Sequence, residues 1–196
     1  MPIVGRQLFA ICLVWNTTQW FPSYGRAQAA PAEPYVVRGA CPFECCQYGR
    51  WVTREPVLVY SHERASGRPL FRLRAGDTVE AITGNVHLVR AGRVVVDRSL
   101  PGNWVEDDSL PAPAPGDTVY VLNYQGEGYW QYWYRGRTGS GPEFWEPESR
   151  HDSLPPPARL IQKPISRWWV QVKVANGQEG WLRMPEAGFD GYDACG

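Results

Sequence analysis

The chain has 196 residues, 43% hydrophobic and 13% aromatic, so it can build one ordinary domain or two small ones. Lysine and arginine balance aspartate and glutamate at 20 each, which argues against both a nucleic-acid-binding surface and an acidic tail. With 18 Pro, 20 Gly and 10 Trp, the composition predicts an all-β chain, because proline and glycine interrupt helices and aromatic residues favour strands.

The N-terminus is typical of an export signal over residues 1–29. Arg6 supplies a positive start, and an apolar core too short to span a bilayer follows it. Ala27 and Ala29 are the small residues that signal peptidase prefers. An uncleaved anchor and a mis-assigned start codon are the alternatives. We expect an exported protein, periplasmic or secreted, with no membrane span after cleavage.

A cysteine-containing segment, residues 30–55, follows the signal. Four cysteines remain in the expected mature chain: Cys41, Cys45, Cys46 and Cys195. An even number in an exported chain predicts disulfide bonds. Cys45 and Cys46 are adjacent and do not pair with each other, so Cys195 pairs with one of them and Cys41 with the other. Either connectivity brings the C-terminal tail to the start of the domain.

Residues 56–105 contain the first group of predicted strands. A strand at Phe71 is followed by a Gly-Asp turn at 76–77 and a further strand. The stretch NVHLVRAGRVVVDR has two apolar runs around Ala91-Gly92, which predicts a hairpin. Residues 106–117 are rich in proline without periodicity, so they are interpreted as a linker.

A four-residue sequence occurs on both sides of this linker. Gly-Asp-Thr-Val at 76–79 returns at 116–119, which is 40 residues later. This spacing is compatible with a duplicated module, and equally with two ordinary turn-then-strand starts. Both interpretations stay open at this stage.

Residues 118–196 are the second group and are denser in aromatic residues. The stretch YQGEGYWQYWYRGR has aromatic residues on both faces of a strand. A polar, proline-rich excursion follows over 135–166. Next, WWVQVKV alternates around a predicted core-facing Trp168, and Asn176-Gly177 predicts a hairpin before GWL.

The sequence WWVQVKVANGQEGWL, residues 168–182, resembles the closing hairpin of bacterial SH3-like (SH3b) domains. The earlier segment with Gly-Asp-Thr-Val is similar to their opening. The resemblance implies a strongly bent five- to six-stranded barrel, and here two such barrels in tandem, stapled by disulfides. In exported proteins such modules usually bind peptides or cell-wall material and are not usually catalytic.

Three aromatic residues are the candidate ligand-binding set: Tyr129, Trp133 and Trp169. Each is predicted to point away from the core-facing residues of its strand, and rigid rings with a polar tip suit extended peptides or sugar rings. We expect them to form one exposed patch. The alternative is that these rings pack between the two modules or under the 135–166 excursion.

Two rival functions depend on other residues. The four cysteines could bind zinc, although Cys195 has no second cysteine beside it. His151 could serve a hydrolase, although no nucleophile motif accompanies it. The sequence therefore predicts a non-catalytic binding or structural module of the cell envelope, with a peptide or cell-wall glycan as partner, no nucleic acid and no cofactor. It does not fix the oligomeric state.

Overall fold

The computed structural model describes residues 29–63, 68–100, 102–106, 110–146, 155–184 and 188–195. The predicted signal segment falls outside these residues except for Ala29. The described residues form strands and no helix, which confirms the all-β prediction. In chain order the strands are β1 (Tyr35–Arg38), β2 (Gly49–Thr53), β3 (Val57–Val59), β4 (Phe71–Leu73), β5 (Thr78–Arg90), β6 (Gly92–Val96), β7 (Thr118–Gly126), β8 (Tyr129–Tyr134), β9 (Arg137–Pro142), β10 (Ala158–Gln162), β11 (Ile165–Val174), β12 (Glu179–Arg183) and β13 (Phe189–Asp190).

The strands form two main antiparallel sheets. The first sheet has the order β12-β11-β5-β2-β13, and β1 also pairs with β5. The second sheet has the order β10-β6-β7-β8-β9, while β3 and β4 form a separate hairpin. Both sheets are open, so the expected pair of closed SH3-like barrels is not confirmed.

The strand pairing cuts across the expected modules at 56–105 and 118–196. β5 pairs with β11 along most of its length, and β6 pairs with β7, so each sheet takes strands from both groups. Strands β6–β10 are inserted between β5 and β11. The strands of one sheet are therefore nested within those of the other, and the expected tandem arrangement is not confirmed.

The hairpin expected around Ala91-Gly92 is also wrong. β5 lies between β11 on one side and β2 and β1 on the other, so β6 has no free edge of β5 to pair with. The chain passes at Ala91 from the first sheet into the second. Residues 106–117 lie between β6 and β7, which are neighbours in one sheet, so this segment is a loop within the second sheet.

The two sheets have the same strand order and corresponding registers. Gly49 on β2 pairs with Ala81 on β5, and Gly92 on β6 pairs with Val121 on β7. Val121 comes 40 residues after Ala81, the same spacing as between the two Gly-Asp-Thr-Val sequences. The order β13-β2-β5-β11-β12 of the first sheet thus corresponds to β10-β6-β7-β8-β9 of the second. Each central strand also has an unpaired residue at the corresponding position: Ile82 is skipped where β5 pairs with β11, and Leu122 is skipped where β7 pairs with β8.

The two Gly-Asp turns have the same geometry and start the two central strands. Gly76 and Gly116 have φ values of 86° and 90°, a region that glycine adopts without a steric penalty. The Asp77 carboxylate accepts a hydrogen bond from the backbone N–H three residues earlier at 2.6 Å, and Asp117 does the same at 2.9 Å. Such local bonds favour a turn over a continuing strand.

Three apolar clusters hold the sheets together. One cluster lies in the first sheet around Trp51 and Phe189, and a second lies in the second sheet around Trp104 and Tyr132. A small third cluster lies where the sheets meet, and its buried members are Leu88, Ala91 and Leu122. Burial raises the pKa of Tyr132, whose hydroxyl donates to the Pro142 carbonyl at 2.7 Å.

Candidate functional site

Two clefts open at corresponding places on the two sheets. The first cleft is bordered by the second half of β5, by the edge strand β12 and by the segment that follows β2 and β3. The second is bordered by the second half of β7, by the edge strand β9 and by the segment that follows β6. The histidine cleft, of about 400 Å³, is lined by His62, Glu63, His87 and Trp181. The cysteine-loop cleft, of about 620 Å³, is lined by Cys41, Phe43, Glu44, Cys45, Cys46, Glu106, Gln125, Gly126, Glu127, Tyr129 and Ser140.

The correspondence of the clefts follows from the registers. Trp181 pairs with Gln171 in the first sheet, and Ser140 pairs with Gln131 at the corresponding position of the second. In each sheet, the segment that follows the first strand of the unit, β2 or β6, also forms backbone hydrogen bonds with the edge strand at this position. Tyr60 exchanges two backbone hydrogen bonds of 2.8 Å with Trp181, and the amide of Glu106 donates to the Ser140 carbonyl at 2.8 Å.

Glu63 is the centre of the histidine cleft. Its Oε1 accepts a hydrogen bond from Asn85 Nδ2 at 2.6 Å, and its Oε2 contacts His87 Nε2 in an ion-pair geometry. Asn85 is only 5% exposed, and its Oδ1 accepts from the Gly39 amide at 3.1 Å. The carboxylate is therefore positioned by a buried amide that the backbone holds in place.

An aromatic wall lies beside this carboxylate. The His87 ring lies 6.4 Å from the Trp169 ring, which in turn lies 6.3 Å from Tyr60. Nε2 of His87 faces Glu63, so Nδ1 is the second polar atom of this ring. The arrangement can donate and accept hydrogen bonds next to an apolar surface. No hydroxyl or thiol lines this cleft within the part of the chain that the structure describes.

Two disulfide bonds build one wall of the cysteine-loop cleft. The pairs are Cys41–Cys46 and Cys45–Cys195, with Cα–Cα distances of 5.5 and 5.6 Å. This selects one of the two predicted connectivities. The tail also pairs with the loop through its backbone, since the amide of Ala194 donates to the Cys45 carbonyl at 2.8 Å. The expected meeting of tail and loop is confirmed.

The cysteine loop starts at Ala40 and ends at Tyr48. The amide of Ala40 donates to the Gly84 carbonyl at 2.8 Å, and the Ala40 carbonyl accepts from Tyr48 Oη at 2.6 Å and from Trp168 Nε1 at 3.1 Å. Burial raises the pKa of Tyr48, so its hydroxyl stays protonated and donates at neutral pH. The loop is thus fixed at its base against the first sheet.

Its tip reaches the second sheet through Glu44. Glu44 Oε1 accepts from the Glu127 amide at 2.8 Å and from the Tyr124 hydroxyl at 3.2 Å. Glu44, Glu106 and Glu127 put three carboxylates on the cleft, and no lysine or arginine is among its described lining residues. The cleft therefore has the electrostatics to attract a cationic group.

Polar side chains continue from this cleft into the second sheet. Ser140 Oγ contacts Gln125 Oε1, and Ser140 pairs in register with Gln131. Gln131 Oε1 is buried without a hydrogen-bond partner among the described residues. Asn123, the next residue across, is also buried. Such polar groups beneath a cleft favour binding through hydrogen bonds.

The predicted aromatic set does not form one exposed patch. Trp169 is only 3% exposed, because Tyr60 and His87 cover the face of β11 that the alternation predicted to be open. Trp133 is half-buried between the sheets, where its Nε1 donates to the Ala29 carbonyl at 3.0 Å and its ring contacts Tyr35. This packing matches the alternative weighed for these rings.

Tyr129 is the one member of that set that lines a cleft. It lies two residues before Gln131 on β8, as Trp169 lies two residues before Gln171 on β11, so the two rings occupy corresponding positions of the sheets. The role of Tyr129 in ligand binding stays a prediction.

The other predicted site residues have different outcomes. The ligand atoms of Cys45, Asp193 and Cys195 lie within 4.8 Å of one another, which is metal-binding spacing. Both sulfur atoms are disulfide-bonded, however, and only a thiolate ligates zinc. His151 lies outside the described residues.

Sequence reasoning missed the histidine cleft. His62 and Glu63 follow a short strand, and His87 is 24 positions beyond Glu63, so no local spacing joins them. The signal that could have found them is the alternation on β5, which places Asn85 and His87 on one face. Two polar residues on one face of a largely buried strand need partners.

Comparisons with known proteins give no family: the chain matches no protein-family model, no curated protein and no solved structure. Within the described residues, no helix has the length and apolar character needed to span a membrane.

Proposed function

We propose that the protein is an exported, non-catalytic binding module of the cell envelope, built from two nested SH3-like units. The two disulfides support export, because such bonds persist in oxidising compartments. The shared strand order of the sheets and the sequence resemblance support the SH3-like assignment. Its ligands are peptide or cell-wall material.

The observation that carries this proposal is the recurrence of a cleft at the same place on both sheets. A fold held together by its cores alone has no need of a second opening lined by hydrogen-bonding groups. Here the place is kept while the lining changes from His62 and Glu63 to Gln125 and Tyr129. Concave sites with a few convergent polar groups are typical of ligand binding.

The lining also favours binding over catalysis. Glu63 and His87 resemble an oriented base, yet a covalent mechanism also requires a nucleophile beside the base. The described lining of the histidine cleft contains none. The cysteines of the other cleft are held as disulfides and offer no thiolate. A hydrolase centred on His151 remains a rival prediction.

The test is a binding screen of the full oxidised chain against envelope fractions, soluble peptides and cell-wall glycan. We expect one class to bind, and Tyr129→Ala or His87→Ala to weaken binding by about tenfold if that side chain is an anchor. Ile161→Ala is the matched control, because Ile161 is exposed on β10 and lines neither cleft. Absence of binding to every fraction would contradict the proposal. Trp169→Ala is a poor probe, since this buried ring reports on stability.

A cysteine-ligated zinc site is the second candidate, and it applies to the reduced chain. It is favoured by the proximity of Cys45, Asp193 and Cys195. Mass measurement of the exported protein separates the two functions. Two disulfides lower the mass by about 4 Da relative to the reduced chain. Bound zinc together with four free thiols would instead support the metal site.

A further inference from the structure

Arginines flank the histidine cleft on the face of the first sheet where it opens. Arg167 on β11 pairs in register with His87, and Arg38 on β1 pairs with Asn85 on the other side of β5. Paired residues of antiparallel strands have their side chains on the same face, with Cβ atoms about 5 Å apart. Both arginines therefore begin beside the residues that hold Glu63 in the cleft.

A third arginine lies at the edge of the same face. Arg183 on β12 pairs with Trp169 and comes two residues after Trp181, which lines the cleft. Residues two apart on a strand point to the same side, so Arg183 and Trp181 are neighbours on this face. Arg167 is the diagonal neighbour of Arg183, at about 7–8 Å.

The three arginines give this face a positive charge. All of them are exposed, and none forms an ion pair with any residue that the structure describes. Glu63 is the one carboxylate among the described lining residues, and its oxygens already contact Asn85 and His87. The sign is opposite to that of the cysteine-loop cleft, which has three carboxylates at the corresponding place.

Aromatic surface lies next to these charges. Trp181 is half-buried at the cleft, and Tyr60, also half-buried, packs against Trp169. A guanidinium group binds carboxylate or phosphate oxygens through two parallel hydrogen bonds. An apolar side chain beside the anion would also use the Trp181 ring. An acidic peptide supplies both groups, whereas an inorganic phosphate chain supplies only the charge.

We propose that the histidine cleft binds an extended acidic peptide segment. Two of its carboxylates pair with Arg167 and Arg183, and an apolar side chain packs on Trp181. Alternate residues of an extended peptide are about 6.7 Å apart, which is close to the separation of the two arginines. The inference rests on the proposed binding function and names the ligand class of one cleft.

Synthetic peptides of about twelve residues test the ligand class. One repeats Glu-Ser-Glu-Ser-Leu-Ser, a second has Gln in place of Glu, and a third has Ser in place of Leu. We expect the first to bind the oxidised full chain, the Gln peptide to bind at least about tenfold more weakly, and the Ser peptide about threefold more weakly. Equal binding of the Glu and Gln peptides would overturn the proposal, as would tighter binding of inorganic polyphosphate than of the Glu peptide.

Charge variants test the location. Arg167→Gln and Arg183→Gln should each weaken binding of the Glu peptide by about threefold at low salt, and high salt should remove most of the difference. Arg137→Gln is the matched control, because Arg137 is an exposed arginine on β9, the edge strand of the second sheet. All three variants should keep the native urea midpoint, since these side chains are exposed.

An equal loss of binding in the Arg137→Gln control would contradict the assigned location, and failure of the Glu peptide to bind would contradict the ligand class. Either result leaves the proposed binding function standing if the envelope screen still finds a ligand. Failure of that screen as well would remove both.

Discussion

The two sheets share a strand order but are stabilised by different residues. In the first sheet the core is centred on Trp51, the Cys45–Cys195 disulfide ties the start of the unit to its end, and the Cys41–Cys46 disulfide closes the cysteine loop. The second sheet has no disulfide among its described residues and instead buries Trp104, Tyr132 and Trp145. The strand order therefore depends on short turn signals and register, while the volume of the core can be filled in more than one way.

An ion pair occurs at corresponding places in the two sheets, but the basic and acidic residues have exchanged strands. Arg54 after β2 pairs with Asp190 on β13, and at the corresponding place Asp97 after β6 pairs with Arg159 on β10. The position of the pair is kept although its direction is reversed. What the sheets share at this place is complementarity between neighbouring strands and not residue identity.

The largest expected effect tests the two cores at corresponding positions. Trp51 and Val94 are both fully buried, each on the first strand of its unit. Trp51→Ala removes ring contacts to Trp168 and Phe189 and should lower the free energy of unfolding by about 3–5 kcal/mol. Val94→Ala removes less volume and should cost about 2 kcal/mol. Urea denaturation of both variants measures the difference, and equal losses would contradict it.

The next prediction concerns the bridges that only the first sheet has. Cys45 and Cys195 are 150 residues apart, so replacing both with Ser should lower the free energy of unfolding by about 3–5 kcal/mol through unfolded-chain entropy. Replacing Cys41 and Cys46, which are 5 residues apart, should cost about 2 kcal/mol. Urea denaturation under oxidising conditions compares the two pairs. The entropic account is wrong if the short bridge contributes more.

A smaller effect is expected from a close approach in the second sheet. A Cβ at Gly141 would collide with the backbone of Trp104, whereas a Cβ at Gly102 would meet nothing within 4 Å. Gly141→Ala should therefore cost about 1–3 kcal/mol, because the backbone must shift. Gly102→Ala is the matched control and should change stability little. If both variants unfold at the same urea concentration, the segment around Trp104 does not depend on this contact.

The success of sequence prediction differed between local and distant features. The hairpin at Asn176-Gly177 is confirmed, because a turn is encoded by adjacent residues: Val174 and Gln178 enclose a three-residue loop whose last residue, Gly177, has a φ of 85°. The cysteine clasp was predictable from parity and adjacency. The path at Ala91 was not, since two apolar runs around Ala-Gly suit a hairpin and a sheet-to-sheet crossing equally well. The burial of Trp169 depends on Tyr60, which is more than a hundred residues away in the chain.

The clefts could not be predicted from local sequence patterns either. Alternation on β5 places Asn85 and His87 on one face, but the loop residue Glu63 that joins them comes from another segment. Local patterns describe one strand at a time, whereas a site forms from residues that only the strand pairing brings together. A nested unit worsens this problem, because it separates β5 from β11 by the whole second sheet.

The smallest expected effect concerns the reversed ion pairs. Two hydrogen bonds of 2.7 and 3.0 Å from the Arg159 guanidinium hold the pKa of Asp97 below its ordinary value. Because the folded pKa lies below the unfolded one of about 3.9, the pair stabilises the fold above that pH, and this contribution is lost as pH falls through the folded pKa. Both side chains are partly exposed, so the effect is small.

Asp97→Asn should therefore lower the urea midpoint slightly at pH 7, and the difference from the native chain should shrink toward zero near pH 2. The exposed Glu55→Gln is the control for a general loss of negative charge. A difference that stays constant between the two pH values would mean that shape and not charge matters at this position. The reversed direction of the Arg54–Asp190 pair would then carry no electrostatic meaning either, and the correspondence between the sheets would reduce to backbone geometry.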